Sequence, residues 1–285
     1  MTTTPTERTV WVNGNLCLES EAPVSPFDHG LLTGDGCFET MITYGGKTFA
    51  LRRHWERLQQ SAGVFGIPLF DEETWESAIA EVVAANKIEK GRVRVTVTGG
   101  PAPLGSEKGE SAPTYVVAAA DLPEIPARAR IITVPFRRND QGALVNLKTT
   151  SYGENVVALT YAKKHGGTEA IFGNTRGLLC EGTGTNVFLV HGGKLITPTI
   201  ASGCLPGVTR ALVLELCAAE GIRVEEKDVP LEALETAPEA FLTSTLREVQ
   251  PIETVNGKTL ATVEGETTRR LKKAFTRLTE ENINP

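Results

Sequence analysis

The chain has 285 residues, of which 40% are hydrophobic and 22% are charged, and its formal net charge is −6. This length allows a sizeable core and favours two domains. The charge balance lacks the basic excess of a nucleic-acid-binding protein, which leaves small-molecule chemistry as the default expectation.

The cysteines and the hydropathy pattern point to a protein of a reducing cytoplasm with no metal site. The first ten residues, MTTTPTERTV, lack the apolar segment of a signal peptide, and no apolar run is long enough to span a bilayer. The cysteines are odd in number and form no CxxC pair, which argues against a disulfide framework and against a zinc site. They are Cys17, Cys37, Cys180, Cys204 and Cys217.

The first part of the chain predicts a sheet covered by helices. Asn13-Gly14 and Gly45-Gly46 each separate two short strand-like runs, and such pairs are typical of hairpin turns. Apolar residues at helical spacing begin at Leu51, and Asp71 is a suitable N-cap for a second helix. Two further strands are predicted at 92–98 and 114–120. The segment between them is long and rich in Gly and Pro, so it is either mobile or a lid.

Prolines mark the predicted domain boundary. The segment 121–129, DLPEIPARA, has two prolines and no periodicity, and we interpret it as a linker. It separates an N-terminal α/β domain, 1–120, from a second domain, 130–285. The second domain is predicted to contain a strand from about 130, a helix near 155–165, a hairpin turning at 192–193, a helix at 208–220 and a terminal amphipathic helix.

Lys148 is the strongest chemical candidate in the chain. It follows the largely apolar run ALVNL at 143–147, which predicts a strand end where the amine is desolvated. Desolvation disfavours the charged form of a lysine and lowers its pKa, as a Schiff-base nucleophile requires. The alternative is a structural lysine whose amine reaches out to water from the strand end.

Two other segments could bind an anion. A loop containing Pro and Gly feeds the helix at 208–220, and Thr209 stands in its first turn, where free amides attract negative charge. The sequence TSTLRE at 243–248 supplies further hydroxyls after a strand. Either group could instead serve only as helix or turn caps.

One carboxylate and two arginines complete the candidate residues. Glu181 lies between an apolar strand and a Gly-rich turn, where a buried carboxylate would need a cationic partner; it could also be a solvated turn residue. Arg92 and Arg94 share one face of a predicted strand and could bind a substrate carboxylate, although an exposed face is the alternative.

Taken together, these residues supply the groups that bind pyridoxal phosphate (PLP): a lysine for the aldehyde, a carboxylate for the ring nitrogen and amides for the phosphate. Competing motifs are missing, because the sequence has no HExxH, no GxSxG and no GxGxxG after a strand. The four histidines, His29, His54, His165 and His191, are scattered.

Six motifs carry a family resemblance over nearly the whole chain. They are FDHGLLTGDGCFET, HWERL, LKTTSYGEN, CEGTGTNVF, LPGVTR and TSTLREVQP, in family order and spacing. On these motifs the chain resembles the fold-type IV (class IV) PLP-dependent aminotransferases, which include branched-chain, D-amino-acid and (R)-amine transaminases and aminodeoxychorismate lyase. The resemblance implies two α/β domains, with a larger C-terminal domain built on a β-barrel-like core, the cofactor between them, and an obligate homodimer.

The resemblance also implies residue roles. Lys148 would bind the cofactor covalently and shuttle the proton, Glu181 would pair with the pyridine nitrogen, and Leu205 would pack on the ring. The phosphate would be held by Arg57, Val208, Thr209 and Thr245, with Gly207 and Ser244 also in the cofactor site. The residues expected to contact substrate are Thr33, Phe38, Arg92 and Arg94.

Departures from the family pattern leave the substrate open. Phe38 and Gly99 stand where D-amino-acid transaminases usually have tyrosine and arginine. Thr33 replaces a tyrosine of the branched-chain type, whose strand arginine matches Arg94. The GDGCF motif and the RRN at 137–139 are closest to aminodeoxychorismate lyase, but TTSYGEN is not.

Several functions therefore stay open. The first hypothesis is a transaminase for D-amino acids or (R)-amines with an α-keto acid acceptor. The alternatives are aminodeoxychorismate lyase, then a branched-chain L-amino-acid aminotransferase, and a cofactor-free binding or scaffold protein.

Overall fold

A computed structural model describes residues 7–285, so residues 1–6 of the N-terminal segment MTTTPTERTV lie outside the described part. The chain forms two compact units. The described part of the first comprises 7–123, 147–152 and 282–285, and the second comprises 124–146 and 153–281.

The first unit contains a six-stranded sheet and three helices. Its strands are β1 (Thr9–Val12), β2 (Asn15–Leu18), β3 (Gly36–Tyr44), β4 (Lys47–Thr48), β5 (Gly91–Thr98) and β6 (Thr114–Asp121), in the spatial order β2-β1-β6-β5-β3-β4. Its helices are α1 (His29–Leu32), α2 (Leu51–Phe65) and α3 (Glu72–Ala85), and a 3₁₀ turn covers Glu19–Glu21. Every strand in this sheet is antiparallel to its neighbours.

Local sequence explains these elements. Asn13 and Gly14 both adopt positive φ, as a two-residue hairpin of type I′ requires. The Asp71 side chain accepts a hydrogen bond from Thr74 N at 2.8 Å and so caps α3, which confirms the predicted helix start. The core lies between the sheet and the helices, where Trp55 packs beside Trp75 with ring centroids 5.3 Å apart.

The second unit is built on a nine-stranded mixed sheet. Its strands are β7 (Ala129–Arg138), β8 (Glu169–Asn174), β9 (Leu179–Gly182), β10 (Asn186–His191), β11 (Lys194–Thr197), β12 (Val224–Glu226), β13 (Ala240–Ser244), β14 (Glu248–Val255) and β15 (Lys258–Thr259). The order is β12-β11-β10-β13-β14-β7-β8-β9, and β15 pairs with β14. The sheet curls into a half-barrel because β9, at one edge, also lies beside β10.

Four helices surround this sheet. They are α4 (Gly153–Lys164), α5 (Val208–Ala219), α6 (Ala233–Thr236) and α7 (Glu266–Glu281), and a 3₁₀ turn covers Ile200–Ser202. The sheet interior is filled by aliphatic side chains such as Ile171, Leu242 and Ile252, all fully buried. The expected α/β architecture with a barrel-like second part is therefore confirmed.

The compact units differ from the predicted domains in two segments. Residues 147–152 and 282–285, placed by sequence in the second domain, group with the first unit. Thr149 forms a bridge with Cys37 of β3, and Ile283 O accepts a hydrogen bond from Ala50 N at 2.8 Å. Backbone pairing between residues far apart in sequence gives no periodic signal, so sequence patterns could not reveal this exchange.

The expected strand before Lys148 is wrong. Residues 143–146 form a turn in which Asn146 adopts a left-handed φ of 65°, and Ala143 and Leu144 are exposed. A short apolar run fits a strand, a helix or a turn equally well, and here the backbone pairing of the following residues decides the conformation.

Within residues 7–285, no helix is both long and apolar enough to cross a membrane. In the same range, no group of three or more His, Cys, Asp or Glu side chains is arranged to hold a metal ion.

Candidate active site

The backbone around Lys148 is fixed by β3 and α2. Phe38 N donates a hydrogen bond to Lys148 O at 3.0 Å, and Thr150 N donates to Gly36 O at 2.9 Å. The Lys148 amide donates to the Ser61 hydroxyl of α2 at 3.4 Å. These contacts fix the position of the Lys148 Cα in the first unit without placing the residue in a long strand.

The Lys148 amine and the Arg94 guanidinium both lie near the aromatic ring of Phe38. Lys148 Nζ lies 4.3 Å from the ring centroid of Phe38, and the Arg94 guanidinium lies 3.6 Å from the same centroid. Tyr152 packs edge-on against Phe38 with centroids 5.3 Å apart. Phe38 is only 3% exposed, whereas Arg94 itself is exposed. Lys148 itself is half-buried rather than fully desolvated.

Near Lys148, α2 and β3 contribute a buried charged cluster of Glu39, His54 and Arg57. Arg57 donates from Nε to Glu39 Oε1 and from Nη2 to Glu39 Oε2, both at 2.7 Å. His54 Nδ1 lies 2.7 Å from Glu39 Oε2. Arg57 is 8% exposed, so it lies on the buried side of α2. The Arg57–Glu39 pair fixes the orientation of the guanidinium.

Burial and neighbouring charges shift the pKa values of the groups in and beside this cluster. Burial alone would raise the pKa of Glu39, but the Arg57 guanidinium and His54 outweigh it and lower the pKa to about 2. Burial lowers the pKa of His54, opposed by Glu39 and reinforced by the positive charges of Arg57 and Lys148. Burial, helped by Glu39, raises the pKa of the Cys37 thiol to about 12, which makes that thiol unreactive near neutral pH.

The two strand arginines share a face of β5, as predicted, but only one is near the lysine. Arg94 stacks on Phe38 and donates from Nε to Thr96 Oγ1 at 3.0 Å. Arg92 is paired in register with Ile42, farther along the strand from Phe38. Both arginines are exposed, and Arg94 is the one that lies near Lys148.

The Asp35 side chain lies close to Gly99, the position where the D-specific type has arginine. A Cβ added to Gly99 would overlap Asp35 Oδ2, so no side chain fits there without a shift of Asp35. Lys108 of the 99–113 loop lies 3.4 Å from the Asp35 carboxylate, and His29 Nδ1 lies 3.9 Å away. Thr33 is exposed and donates its hydroxyl to His29 O at 2.9 Å, which caps α1.

In the second unit, Glu181 stands at the end of β9. Its Oε2 accepts a hydrogen bond from Leu205 N at 2.9 Å, and its Oε1 lies 3.3 Å from Arg138 Nε. The Leu205 carbonyl in turn accepts from Asn186 Nδ2 at 2.9 Å. Glu181 therefore has the cationic partner that its burial requires, and Leu205 is held at both ends of its backbone.

The start of α5 is open to an anion. Gly207 is its N-cap and provides no side-chain cap, while Val208 and Thr209 are buried in its first turn. A Cβ added to Gly207 would overlap Asn186 Oδ1, which explains why glycine stands there. The free first-turn amides and the positive helix end favour a bound phosphate or carboxylate.

Ser244 and Thr245 lie where β13 ends and a turn begins. Both are half-buried, and Ser244 Oγ accepts a hydrogen bond from Arg247 N at 3.2 Å. Arg247 also lies 3.5 Å from the buried Glu169 carboxylate, which accepts from Thr183 N at 3.1 Å. Glu169 thus connects this turn with the turn after Glu181.

The structure brings together, within the first unit, Lys148, Phe38, Arg94 and Arg57, and within the second, Glu181, Leu205, Gly207, Val208 and Thr209. Sequence reasoning missed Glu39, His54, Arg138 and Asn186. One signal was available for Glu39: it alternates with Phe38, Thr40 and Ile42, so it shares the apolar face with Cys37 and Met41. A charge on an apolar face demands a buried partner.

Comparisons with known proteins identify the family of the chain. The family described as amino-transferase class IV matches residues 36–255. A protein of Methanocaldococcus jannaschii, provisionally named a branched-chain-amino-acid aminotransferase, is 36% identical over 93% of this chain and 94% of its own length. The D-alanine aminotransferase of Bacillus licheniformis is 32% identical over 88% and 89%, and the aminodeoxychorismate lyase of Bacillus subtilis is 32% identical over 92% of each.

Solved structures show the same likeness. The branched-chain aminotransferase of Thermoproteus uzoniensis, solved with norvaline, superposes with a TM-score of 0.90 at 30% identity over 98% of this chain and 97% of that one. A branched-chain aminotransferase of T.th., solved with pyridoxamine 5′-phosphate, gives 0.88 at 26% identity over 95% and 94%. The chain is therefore an enzyme of the class IV aminotransferase family, whose cofactor is PLP.

Proposed function

We propose that this enzyme is a transaminase that moves an amino group between an amino acid or amine and an α-keto acid. The observation that carries the proposal is the pairing of Lys148 and Arg94 on the Phe38 ring, at 4.3 and 3.6 Å from its centroid. An amine for proton transfer and a guanidinium for a carboxylate are thus held by one buried side chain, as an acidic substrate requires.

The residues of each unit fit PLP. In the first unit, Lys148 would hold the cofactor covalently, and Arg57, fixed by Glu39, would supply a positive charge for the phosphate. In the second unit, the open start of α5 suits a phosphate, because Gly207 provides no cap and a Cβ there would meet Asn186. The Glu181 carboxylate would pair with the pyridine nitrogen of the cofactor. The remaining proposed cofactor contacts are Leu205, Val208, Thr209, Ser244 and Thr245.

When bound, PLP supplies an electron sink for the negative charge that develops on the donor's Cα. The chain's own part is to place and move protons. The Lys148 amine would take the proton from Cα, Glu181 would keep the ring nitrogen protonated, and Arg94 would bind the substrate carboxylate.

The donor is the finer question. Our first proposal is a D-amino acid or an (R)-amine, supported by the 32% identity to a D-alanine aminotransferase. The Arg94 geometry favours a second candidate, a branched-chain L-amino acid, because Gly99 stands where the D-specific type has arginine, and a side chain there would require Asp35 to move. Lyase activity towards aminodeoxychorismate is the third. We further propose a homodimer that works in the cytoplasm, with no nucleic-acid or membrane partner.

A half-reaction screen tests this proposal. The protein loaded with PLP is mixed with D-alanine, D-glutamate, L-leucine, L-valine or an (R)-amine, without an acceptor, and the cofactor absorbance is followed. We expect at least one donor to convert the absorbance to that of pyridoxamine phosphate. Pyruvate released from aminodeoxychorismate without an acceptor keto acid would identify a lyase instead. No conversion with any donor would contradict transamination.

Replacing Arg94 by alanine should raise KM for substrates with a carboxylate by roughly tenfold to a hundredfold, because a charge-assisted contact is lost. Uncharged amines should keep their KM. Arg92→Ala is the matched control, since Arg92 lies on the same face but is paired in register with Ile42. Steady-state kinetics on a keto acid and an amine check this. Equal KM changes for acids and amines, or a larger effect of Arg92→Ala, would contradict the role of Arg94.

A further inference from the structure

Arg138 is a half-buried arginine that sequence reasoning did not single out as a site residue. It ends β7, and its guanidinium packs on the Phe172 ring with 4.2 Å between Cζ and the ring centroid. Its Nη1 donates to Asn155 Oδ1 at 3.1 Å and to Glu154 Oε2 at 3.2 Å. These contacts hold the guanidinium between the sheet and the start of α4.

The other nitrogens of Arg138 are directed differently. Nε and Nη2 are buried and, within residues 7–285, make no hydrogen bond to an acceptor. Nε nonetheless lies 3.3 Å from Glu181 Oε1, so the contact is an ion pair outside hydrogen-bond alignment. A buried guanidinium with unused donors costs free energy, and a site usually keeps such a group because its charge has a use.

Several groups beside Glu181 are neutral. Leu205 N donates to Glu181 at 2.9 Å, which is a neutral donor. Burial, helped by the negative charge of Glu181, raises the pKa of the Cys180 thiol, and the same causes raise that of Cys204 to about 11, so both thiols are neutral. The Glu154 side chain, which accepts from Arg138, is 64% exposed, so its charge is screened by water.

We propose that Arg138 is a positioning residue, which keeps Glu181 ionised and fixes its carboxylate at the end of β9. The inference rests on the proposed function, in which Glu181 meets the cofactor's ring nitrogen. An ionised Glu181 carboxylate can accept a hydrogen bond from the protonated ring nitrogen and stabilise its positive charge. A neutral carboxyl group supplies no such charge. Arg138 therefore acts through Glu181, without touching the reacting atoms itself.

The test is the titration of Glu181 in the full chain. The protein is labelled with ¹³C at the glutamate side-chain carboxyl, and the Glu181 resonance is assigned by its loss in Glu181→Gln. We expect a titration midpoint in the unmodified chain below that of an ordinary glutamate, about 4.3. In Arg138→Gln the midpoint should rise by roughly 1–3 pH units, the effect of one adjacent guanidinium on a carboxylate.

Two further variants separate charge from structure. Arg138→Lys keeps the charge and should retain most of the low midpoint, while Arg137→Gln removes the exposed neighbouring arginine and should leave it unchanged. An unmodified midpoint at or above the ordinary value, or equal midpoints in the unmodified chain and Arg138→Gln, would overturn the proposal. The first measurement holds even if Arg138→Gln fails to fold.

This outcome is distinguishable from a failure of the proposed function. The titration needs no substrate, so a negative half-reaction screen leaves it unaffected. Equal midpoints would remove the role of Arg138 while leaving transamination by Lys148 in place.

Discussion

Replacing Lys148 by alanine is expected to lower the transamination rate by roughly 10⁴-fold, because the proton transfer at the donor's Cα loses its base. The fold should persist, since Lys148 is half-buried and the contacts that fix its segment are made by its backbone to Phe38 and Ser61. Single-turnover absorbance measurements with the best donor check this. Added methylamine should restore part of the rate by supplying a free amine.

The matched control for this variant is Lys164→Ala, at the exposed end of α4. It should react at the unmodified rate. If Lys148→Ala kept its rate within about tenfold of the unmodified enzyme, the assignment of the base would be wrong.

Replacing Glu39 by glutamine should reduce the stability of the first unit by about 3–5 kcal/mol, because the buried Arg57 guanidinium loses its counter-charge. Urea unfolding followed by tryptophan fluorescence measures this directly. All three tryptophans, Trp11, Trp55 and Trp75, lie in the core of the first unit, so their emission reports that unit.

The pH dependence of this variant has a definite sign. The pKa of Glu39 is about 2 in the folded chain and 4.5 for an ordinary glutamate. A lowered folded-state pKa contributes stability that is complete above the unfolded value and is lost as pH falls towards 2. The stability difference between the unmodified chain and Glu39→Gln should therefore be constant near neutrality and narrow below about pH 4.5.

Glu56→Gln is the control, since Glu56 lies on the same helix and pairs with Arg52 at the exposed surface. Its effect should stay within about 0.5 kcal/mol. A Glu39→Gln variant as stable as Glu56→Gln, or a stability difference that widened in acid, would show that the buried cluster does not hold this part of the fold together.

Local patterns predicted the elements of the fold well, because their causes are local. The hairpin turn at Asn13-Gly14 requires positive φ at both positions, which these two residue types tolerate. The Asp71 side chain caps α3 by accepting from the Thr74 amide, three residues further along the chain. The segment around Lys148 was placed wrongly because its conformation depends on pairing with Gly36 and Phe38, more than a hundred residues earlier. No periodicity within 143–152 encodes that pairing.

Some residues of the candidate site could likewise be nominated from local sequence, whereas others could not. Residue type and motif spacing were enough to nominate Lys148, Glu181 and the start of α5 as candidates. The partners that fix their orientation, Glu39 and Arg138, could be found only from the fold. Arg138 reaches Glu181 from a different strand, and its partner Asn155 comes from a helix, so the contact depends on tertiary packing.

The central claim, that the amine of Lys148 holds the cofactor, is tested most directly by borohydride reduction of the PLP-loaded protein followed by peptide mapping. Borohydride makes the bond between lysine and cofactor permanent. We predict a single modified peptide with the label on Lys148. A label on another lysine, such as Lys163 or Lys164, or no label at all, would contradict the account.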